Sequence, residues 1–517
     1  MSFQVRRLQE SPPRRPIPWK AVAAWAFALR RPFLGLVERW KIHRQEHAKH
    51  EKRVRILKRV AIGLAAVLCS LILIAGTVKA LVAMRVLNLN SIFNVAGADL
   101  PKDAFGHTNL LLLGQGDAGH DGQDLTDTMM IASIDPTTKS VVMLSLPRDL
   151  YLLDTKNMGR GRINGMYQGY KHLLRTTIKQ TEADASQVAM VELADELGKL
   201  LGMKIHHTVK VDFIGFVKAV DAVGGFEIDV PADLVDTQYP NERENGYTTF
   251  IVRAGLQQFD GSTALKYARS RHSTSDFDRS ARQQMVLKAL ADKLKQDGVM
   301  AHPDRILSLW NILSENMETT MTLRELIGLA ELGTEIDRSN ILSMQLNDQV
   351  GYTYLAAPGG FLYAPPRDQF GGASVLLPVS IPQSPVTWKQ IQSLVTLLVH
   401  TRSPYVAHPL LEVYNAGAKA GSSRSLSSEL TRYGFDVTKA ENAPDGEHDK
   451  EKSYIQALQA DAALAQFFGT LLKIPVATLP EGALLPPKTI QIYLGKDYAY
   501  VPFQSLLPST NTGALGN

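Results

Sequence analysis

Residues 108–146 read TNLLLLGQGDAGHDGQDLTDTMMIASIDPTTKSVVMLSL, and this stretch decides the fold class. The apolar run at 108–114 predicts a buried strand, and a loop rich in Gly and Asp follows it. Two more apolar runs flank the sequence DPTTK at 135–139, whose turn chemistry predicts a β-hairpin. The second arm of this hairpin ends in Arg148 and Asp149.

After this stretch, strand and helix patterns interleave as far as residue 350, and a polar stretch at 233–248 separates two groups of them. This interleaving predicts a mixed α/β domain over residues 105–350, with a mixed central sheet flanked by helices. The strand patterns lie at 207–212, 226–230 and 341–345, and the helix patterns lie at 166–180, 187–201, 213–223, 262–267, 278–295, 303–316 and 323–332.

A second, smaller α/β unit is predicted at residues 405–500, where strand, glycine-containing loop, helix and strand patterns follow one another. Residues 351–404 begin with a segment rich in Gly and Pro, which is typical of a linker between domains. A helix pattern lies within that region near 387–398. We expect residues 501–517 to form a disordered tail.

The charge distribution predicts a membrane anchor near the N-terminus. Residues 60–78, VAIGLAAVLCSLILIAGTV, contain no charged side chain and would span roughly 28 Å as a helix. Residues 1–59 hold 16 Lys/Arg and 4 Asp/Glu, and dense Lys/Arg remains cytoplasmic. This basic tail is too long for a cleaved signal peptide. We therefore expect a single-pass protein of the cell membrane, with a signal anchor over residues 60–84 and extracytoplasmic main domains.

Composition and missing motifs exclude several classes of protein. The lone Cys69 lies within the predicted anchor, so the chain can form neither an internal disulfide nor a multi-cysteine metal site. With 45% hydrophobic and 21% charged residues, the composition is that of a globular protein. GQGDAG at 114–119 is followed by a strand pattern and not by a helix, so it does not make a Rossmann fingerprint. A P-loop and a G-x-S-x-G motif are absent from the sequence.

Residues 264–290, ALKYARSRHSTSDFDRSARQQMVLKAL, concentrate candidate anion-binding side chains. Arg269 and Arg271 are two residues apart, so in an extended segment they would point the same way. A guanidinium group suits a phosphate or a carboxylate partner. The alternative is an internal salt bridge to Asp276 or Asp278 without a ligand. The predicted inward stripe of the following helix is Val286, Leu287, Leu290 and Leu294, which continues backward to Gln283 and Arg279.

The loop before the second strand carries candidate metal ligands. Asp117, Asp121 and Asp124 lie in the loop, and Asp127 adjoins the buried strand. A solvated turn is the favoured interpretation for Asp117 and Asp121. One or two carboxylates together with phosphate oxygens are the ligands that Mg²⁺ usually has in proteins. Phosphate-binding cations beside metal-binding carboxylates make phosphoryl transfer possible.

Four ordered blocks lie between residues 105 and 300. They are NLLLLG with TDTMMIASIDPTTKSVVMLSLPRD, GRINGMYQGY, VDFIGFVKAVDAVGGFEIDVP, and GLQQFDGSTALKYARSRHSTSDFDRSARQQMVLKAL. Together these blocks resemble the LytR–CpsA–Psr family of envelope glycopolymer ligases. Residues 405–500 are similar to the C-terminal domain of some members, through NAGAKAG and YGFDV.

The resemblance implies roles for individual residues. It makes Asp127 a metal ligand, with Asp117 or Asp124 as a substitute second ligand. The family usually has Arg-Ser-Asp where this chain has Leu125, Thr126 and Asp127, so one expected arginine is absent. The second metal carboxylate of the family falls on Gly116. The implied pyrophosphate contacts are Arg148, Arg269, Arg271, Arg279 and Gln283, and the implied catalytic set is Arg148, Asp149 and Asp127.

The resemblance also implies a function. The expected activity is phosphotransfer of a glycopolymer from a polyprenyl-pyrophosphate carrier to peptidoglycan or another envelope acceptor, which forms a phosphodiester and uses Mg²⁺ or Mn²⁺. Asp149 or Asp127 would accept the proton of the acceptor hydroxyl. A membrane is an expected partner, and nucleic acid is not. The alternatives are a module that binds prenyl phosphate or wall glycan without turnover, and a polyprenyl pyrophosphatase.

Overall fold

The computed structural model describes residues 100–116, 125–241, 246–270, 276–298, 316–346, 360–379, 387–479 and 484–507. All of these residues belong to one compact unit of the chain, 96–517. The predicted basic tail and anchor lie outside the described residues. Within the described part, none of the helices combines the length and the apolar character that crossing a bilayer requires.

Between residues 100 and 379, strands and helices alternate in the described chain. The strands are β1 (Thr108–Gln115), β2 (Thr126–Asp135), β3 (Ser140–Leu146), β4 (Tyr151–Leu152), β5 (Gly161–Arg162), β6 (His207–Asp212), β7 (Phe226–Val230), β8 (Leu234–Asn241), β9 (Gly246–Val252), β10 (Gly255–Phe259), β11 (Met317–Thr319), β12 (Ile341–Gln345), β13 (Leu362–Tyr363) and β14 (Leu377–Pro378). The helices are α1 (Ile163–Thr176), α2 (Glu182–Leu201), α3 (Phe213–Ala222), α4 (Gly261–Arg269), α5 (Asp276–Gln296) and α6 (Leu323–Glu335).

A mixed sheet forms the centre of this part, with the strand order β11-β6-β1-β2-β3-β12. Strand β2 runs antiparallel to both β1 and β3, whereas β6 and β12 are parallel to their neighbours β1 and β3. The predicted mixed central sheet is therefore confirmed. The predicted helix at 303–316 lies almost entirely outside the described residues.

Strand β1 is buried on both faces, which explains its unbroken apolar run. Leu111 and Leu113 face the core beneath α1 and α2, whereas Leu110 packs in the core beneath α6. At Gly114 the strands approach closely, since a Cβ atom there would lie 2.9 Å from the Cβ of Thr128. A larger residue at position 114 would push β1 away from β2.

The turn between β2 and β3 is closed by Asp135, as its turn chemistry predicts. Its Oδ1 accepts a hydrogen bond of 2.8 Å from the backbone N–H of Thr137, and its Oδ2 accepts one of 2.6 Å from the hydroxyl of Thr138. This Asx-type arrangement replaces backbone bonds that the chain reversal breaks. Burial alone would raise the pKa of Asp135, but these bonds lower it overall.

Most described residues of the polar stretch at 233–248 lie in a β-hairpin made of β8 and β9. The buried side chains of this hairpin include Leu234 and Val252, whereas Tyr247 and Ile251 are exposed. The one-sided burial explains the polar composition, because a ribbon with one solvated face needs few apolar residues.

The C-terminal part has its own sheet and helices. Helix α7 (Lys389–Val395) continues as a π-helix over Thr396–His400 and is followed by α8 (Ser403–Ala407). The remaining elements are β15 (Leu410–Asn415), α9 (Ser422–Arg432), β16 (Asp436–Asn442), β17 (Tyr454–Leu458), α10 (Ala462–Leu472), β18 (Val476–Leu479), β19 (Thr489–Leu494) and α11 (Phe503–Leu506), with a short 3-10 turn at Gln459–Asp461. Two further 3-10 turns, Arg338–Asn340 and Arg367–Phe370, belong to the preceding part of the chain.

The five C-terminal strands form one sheet in the order β16-β15-β19-β17-β18. Strand β15 is parallel to both of its neighbours, and β17 is antiparallel to β19. Helices α9 and α10 contribute Leu426, Leu430 and Phe468 to the core on one face of this sheet. The structure thus has the α/β arrangement that the sequence predicts for this region.

The two sheets share a continuous core, which includes Leu193, Ile391 and Leu411. Helix α7 lies within residues 351–404, where the sequence predicts a linker, yet its side chains Ile391 and Leu394 are fully buried. Earlier in the same region, Phe361 and Leu362 are also buried in this core, so the described part of the predicted linker belongs to the packed structure. Similarly, Phe503 is fully buried and lies within the predicted disordered tail.

Arg402 joins the C-terminal part to the β2–β3 hairpin. Its Nη1 donates to the carbonyls of Ser133 and Ser140 at 3.0 and 3.2 Å, and its Nη2 donates to the hydroxyl of Ser133 at 2.9 Å. Nε donates to the carbonyl of Val399 at 3.0 Å. Burial lowers the pKa of Arg402 to about 10. The guanidinium therefore satisfies backbone carbonyls where the two parts meet.

A histidine cluster lies beside this contact. The ring of His400 stacks on Phe105 with a centroid distance of 3.8 Å. Burial lowers the pKa of His400 to about 4, and the neighbouring charged groups are Asp103, His107 and Arg402. His107 also has a pKa that burial lowers. A neutral imidazole is therefore part of the folded state near neutral pH.

We expect the free energy of unfolding to fall as the pH is lowered from about 6.5 to about 4. The unfolded chain binds a proton at His400 in this range and the folded chain does not, which costs roughly 2–3 kcal/mol. In His400→Phe this part of the pH dependence should disappear while the stacking on Phe105 remains. Urea unfolding at pH 7 and pH 4.5 measures the effect. The exposed His172→Phe is the control and should retain the wild-type slope.

Candidate functional site

The site lies where β2 begins and β3 ends. Thr126 pairs with Gln115 and Thr128 pairs with Gly114, so Asp127 is an extra residue between two paired ones. Such a bulge redirects a side chain away from the regular alternation of the strand. Arg148 Nη1 lies 3.6 Å from Asp127 Oδ1, and Arg148 Nε lies 3.8 Å from Asp149 Oδ2. The structure thus brings together these three predicted residues.

We call the place where β2 begins and β3 ends, with Asp127, Arg148 and Asp149, the Asp127 corner. Residues at the start of α1 supply two further groups to this corner. Arg162 Nη1 donates to Asp149 Oδ1 at 3.2 Å, and Asn164 Nδ2 donates to Asp127 Oδ1 at 3.2 Å. Neither residue was among the predicted site residues. They lie in the block GRINGMYQGY, where a cation and an amide directly precede an apolar helix pattern, and that was the available signal.

The two carboxylates differ in their surroundings. Asp149 is held between two guanidinium groups, one near each oxygen, and its side chain is 18% exposed. The side chain of Asp127 is 43% exposed, and its contacts within the described chain both involve Oδ1. Asp127 is therefore the more accessible of the two carboxylates.

These carboxylates fit one kind of metal site. The described residues contain no group of three or more His, Cys, Asp or Glu side chains that could hold a metal ion. Asp117 and Asp124, the predicted additional ligands, lie outside the described residues. A hard cation that takes one protein carboxylate and several phosphate or water oxygens would fit at Asp127 Oδ2, and this is the usual coordination of Mg²⁺.

Helix α5 brings Gln283, another predicted residue, to the same strand. Gln283 Nε2 donates to the hydroxyl of Thr128 at 2.9 Å and to the carbonyl of Ala268 at 3.4 Å. Thr128 directly follows Asp127 in β2. Arg279 lies one helical turn before Gln283 and is 5% exposed. Gln283 thus connects the start of α5 with the corner that contains Asp127.

The buried stripe of α5 differs from the predicted one. Only Val286 of its four predicted apolar positions is fully buried, while the other three are half-buried. Arg282, which was not among the predicted site residues, lies in the observed stripe three residues after Arg279. The buried positions on this face are Arg279, Arg282, Val286 and Ala289.

Arg282 fixes the end of α4 rather than facing a ligand. Its Nε donates to the carbonyl of Tyr267 at 3.0 Å, and its Nη2 donates to the carbonyl of Ser270. The hydroxyl of Ser270 in turn donates to the buried Asp236 at 2.6 Å. Burial lowers the pKa of Arg282. These bonds hold the chain at the point where Arg269 leaves the helix.

Arg269 is the last residue of α4, and the expected extended segment is not what the structure has there. The alternation that aligned Arg269 with Arg271 therefore does not apply at Arg269, and Arg271 lies outside the described residues. The guanidinium carbon of Arg269 lies 4.1 Å from the ring centroid of Phe213 and 5.9 Å from that of Tyr239. Aromatic faces attract cations and restrict their orientation. These two rings therefore hold the guanidinium of Arg269.

A buried lysine lies behind the site, at the ends of β1 and β6. Lys210 is 7% exposed, and its Nζ contacts Gln115 Oε1 at 2.7 Å and Glu318 Oε1 at 2.8 Å. Its ammonium lies 4.8 Å from the ring centroid of Tyr167. Burial raises the pKa of Glu318, but the bonds from Lys210 and Ser186 lower it overall. A lysine at an inward position of the pattern HTVKVD was the available signal.

Comparison with known proteins decides the family. The sequence model of a protein family, described as the LytR_cpsA_psr family, matches residues 88–363, which is more than half of the chain. The chain belongs to the LytR_cpsA_psr family. A second model, described as LytR cell envelope-related transcriptional attenuator, matches residues 410–498, which contain the C-terminal sheet.

This LytR_cpsA_psr chain is similar to named proteins of Corynebacterium glutamicum and Bacillus subtilis. The cell wall biosynthesis protein LcpA of Corynebacterium glutamicum is 25% identical over 430 residues, covering 78% of this chain and 76% of the relative. Two Bacillus subtilis proteins are each named polyisoprenyl-teichoic acid–peptidoglycan teichoic acid transferase. TagV is 28% identical over 50% of this chain and 62% of its own, and TagT is 25% identical over 62% of this chain and 93% of its own.

The cation–π contact at Arg269 leads to a testable expectation. If Arg269 binds a phosphate group, as the family resemblance implies, Phe213→Leu should weaken binding of inorganic pyrophosphate by about 3- to 30-fold, because the cation loses its aromatic support. Phe213→Tyr keeps an aromatic face and should bind as the wild type does. Titration calorimetry on the full chain measures both. Equal losses in the two variants would contradict the role of the ring face.

Proposed function

We propose that this protein is a membrane-anchored, extracytoplasmic phosphotransferase. It moves an envelope glycopolymer from a polyprenyl-pyrophosphate carrier to peptidoglycan or to another envelope acceptor. The single observation that carries the proposal is the corner made by Asp127, Arg148 and Asp149. The family membership and the printed names of TagV and TagT support the same reaction class.

The arrangement suits a doubly charged diphosphate. Arg148, Arg269 and Arg279 come from three separate stretches of chain, and Gln283 connects α5 with β2. Guanidinium groups bind phosphate oxygens through parallel hydrogen bonds. Fixed cations stabilise the charge that develops on a leaving phosphate without having to reorganise during the reaction.

The reaction balances as a substitution at phosphorus. The acceptor hydroxyl oxygen attacks the phosphorus that carries the sugar, and a new P–O bond forms. The bond from that phosphorus to the bridging oxygen breaks, so the prenyl monophosphate leaves with the electron pair. The hydroxyl proton passes to Asp149, whose Oδ2 lies 3.8 Å from Arg148 Nε, beyond hydrogen-bond distance.

Asp127 has a different part in this proposal. It would hold Mg²⁺ or Mn²⁺ through Oδ2, with Asp117 or Asp124 as a further ligand. The ion, when bound, would neutralise phosphate charge. Arg148 lies between the two carboxylates and keeps them apart, since its Nη1 contacts Asp127 and its Nε contacts Asp149.

Loss of the arginines tests the proposal directly. We expect Arg269→Ala and Arg271→Ala each to lower transfer by about 100-fold or more, since each would remove a cation from the leaving group. The assay uses the full chain in detergent, a geranylgeranyl-pyrophosphate-linked N-acetylglucosamine donor and peptidoglycan strands as acceptor. The control is Arg253→Ala, which removes an exposed arginine paired with Asp233 on the β8–β9 hairpin. Wild-type rates in both site variants would refute the assignment.

Product analysis in the same assay separates the alternatives. A phosphodiester product that requires the acceptor supports the transferase. Release of sugar phosphate without any acceptor would make the protein a pyrophosphatase. Donor that is bound and never converted would make it a binding module.

The two carboxylates should respond differently to amide substitution. Asp149→Asn removes the proton acceptor, so kcat should fall about 100-fold or more with an unchanged half-saturating Mg²⁺ concentration. Asp127→Asn weakens a metal ligand, so the half-saturating Mg²⁺ concentration should rise at least 10-fold. Initial rates across a Mg²⁺ series distinguish the two. A shared response would show that the roles are not divided in this way.

A further inference from the structure

Asn164 connects all the pieces of chain that form the Asp127 corner. Its side-chain Nδ2 donates to Asp127 Oδ1 at 3.2 Å. Its backbone carbonyl accepts from the Thr126 hydroxyl at 3.1 Å, and its backbone N–H donates to the carbonyl of Arg148 at 3.3 Å. One residue therefore holds the start of β2, the segment after β3 and the start of α1.

The position of Asn164 in α1 makes this use of its side chain unusual. It is the second residue of the helix, and the N-cap residue Arg162 makes no side-chain capping bond. Asparagine near a helix start usually satisfies the helix's own backbone N–H groups. Here its amide group instead reaches a carboxylate 37 residues away along the chain. Neither local helix propensity nor capping explains this choice of residue.

Burial makes the contact directional. Asn164 is 4% exposed, whereas the side chain of Asp127 is 43% exposed. A carboxylate on a half-open strand edge can adopt several rotamers, and a fixed donor on one oxygen selects among them. Asn164 donates to Oδ1, and Arg148 Nη1 lies 3.6 Å from the same atom, so the carboxylate is restrained through one oxygen.

We propose that Asn164 is a positioning residue that orients Asp127 for the reaction by holding its Oδ1. This inference rests on the proposed function. The two backbone bonds of Asn164 do not depend on its side chain, so Asn164→Ala removes the bond to Asp127 and leaves the contacts with Thr126 and Arg148 intact. Loss of an outer-shell partner of a ligating carboxylate typically costs 10- to 100-fold in metal affinity or activity.

A double-mutant cycle with Asp127 tests the proposal. We expect Asn164→Ala to lower kcat/KM for transfer by 10- to 100-fold, and to weaken Mn²⁺ binding by a similar factor. Mn²⁺ binding is measured by electron paramagnetic resonance with geranylgeranyl pyrophosphate present. In an Asp127→Ala background the same substitution should change either quantity less than about twofold, because the group that it positions is already gone. Losses that multiply in the double variant would show a merely structural role.

The control is Asn157→Ala. The amide of the exposed Asn157 also donates to a carboxylate, that of Glu192 at 2.7 Å, so the control removes the same kind of bond away from the site. It should match the wild type in both assays. A wild type that transfers nothing contradicts the proposed function, whereas an active wild type with an unaffected Asn164→Ala variant contradicts the positioning role alone.

Discussion

The pairing of β2 with two antiparallel neighbours is the constraint on which the site depends. β2 is hydrogen-bonded to β1 on one side and to β3 on the other, so its start and the end of β3 are fixed at one edge of the sheet. The register shift after Gly114 leaves Asp127 as an extra residue there. The close approach at Gly114 leaves little room for β2 to slide. The backbone hydrogen bonds of the sheet thus place the charged groups close together at the start of β2 and the end of β3.

The charged groups at this edge are held by polar contacts that link separate elements. Arg148 lies between two carboxylates, Asn164 holds Asp127, and Gln283 reaches Thr128 from α5. Buried and half-buried charges need such partners, because burial removes them from water. Such fixed contacts suit the diphosphate substrate that we propose, because a preorganised site needs little rearrangement during phosphoryl transfer.

The C-terminal part contacts the central sheet near the turn between β2 and β3, at the other end of these strands from Asp127. Arg402 bonds to Ser133 and Ser140 of the β2–β3 hairpin, and the core continues from Leu193 through Ile391 to Leu411. Residues in the predicted linker thus contribute to packing. A composition rich in Gly and Pro signals where regular structure stops, but burial depends on which surface the following apolar residues meet.

Local patterns in the sequence determined much of this protein. The strands at 207–212, 226–230 and 341–345 form as predicted, because alternation and apolar runs act over a few residues. Family motifs named Asp127, Arg148 and Gln283, and these lie in one connected region. Only the tertiary structure decided the roles of Asn164, Arg282 and Lys210, since each side chain contacts groups brought close by folding. It also gave Arg269 a helical rather than an extended conformation. Periodicity shows which side of an element is buried, whereas the partner that a buried polar group meets depends on the packing of distant segments.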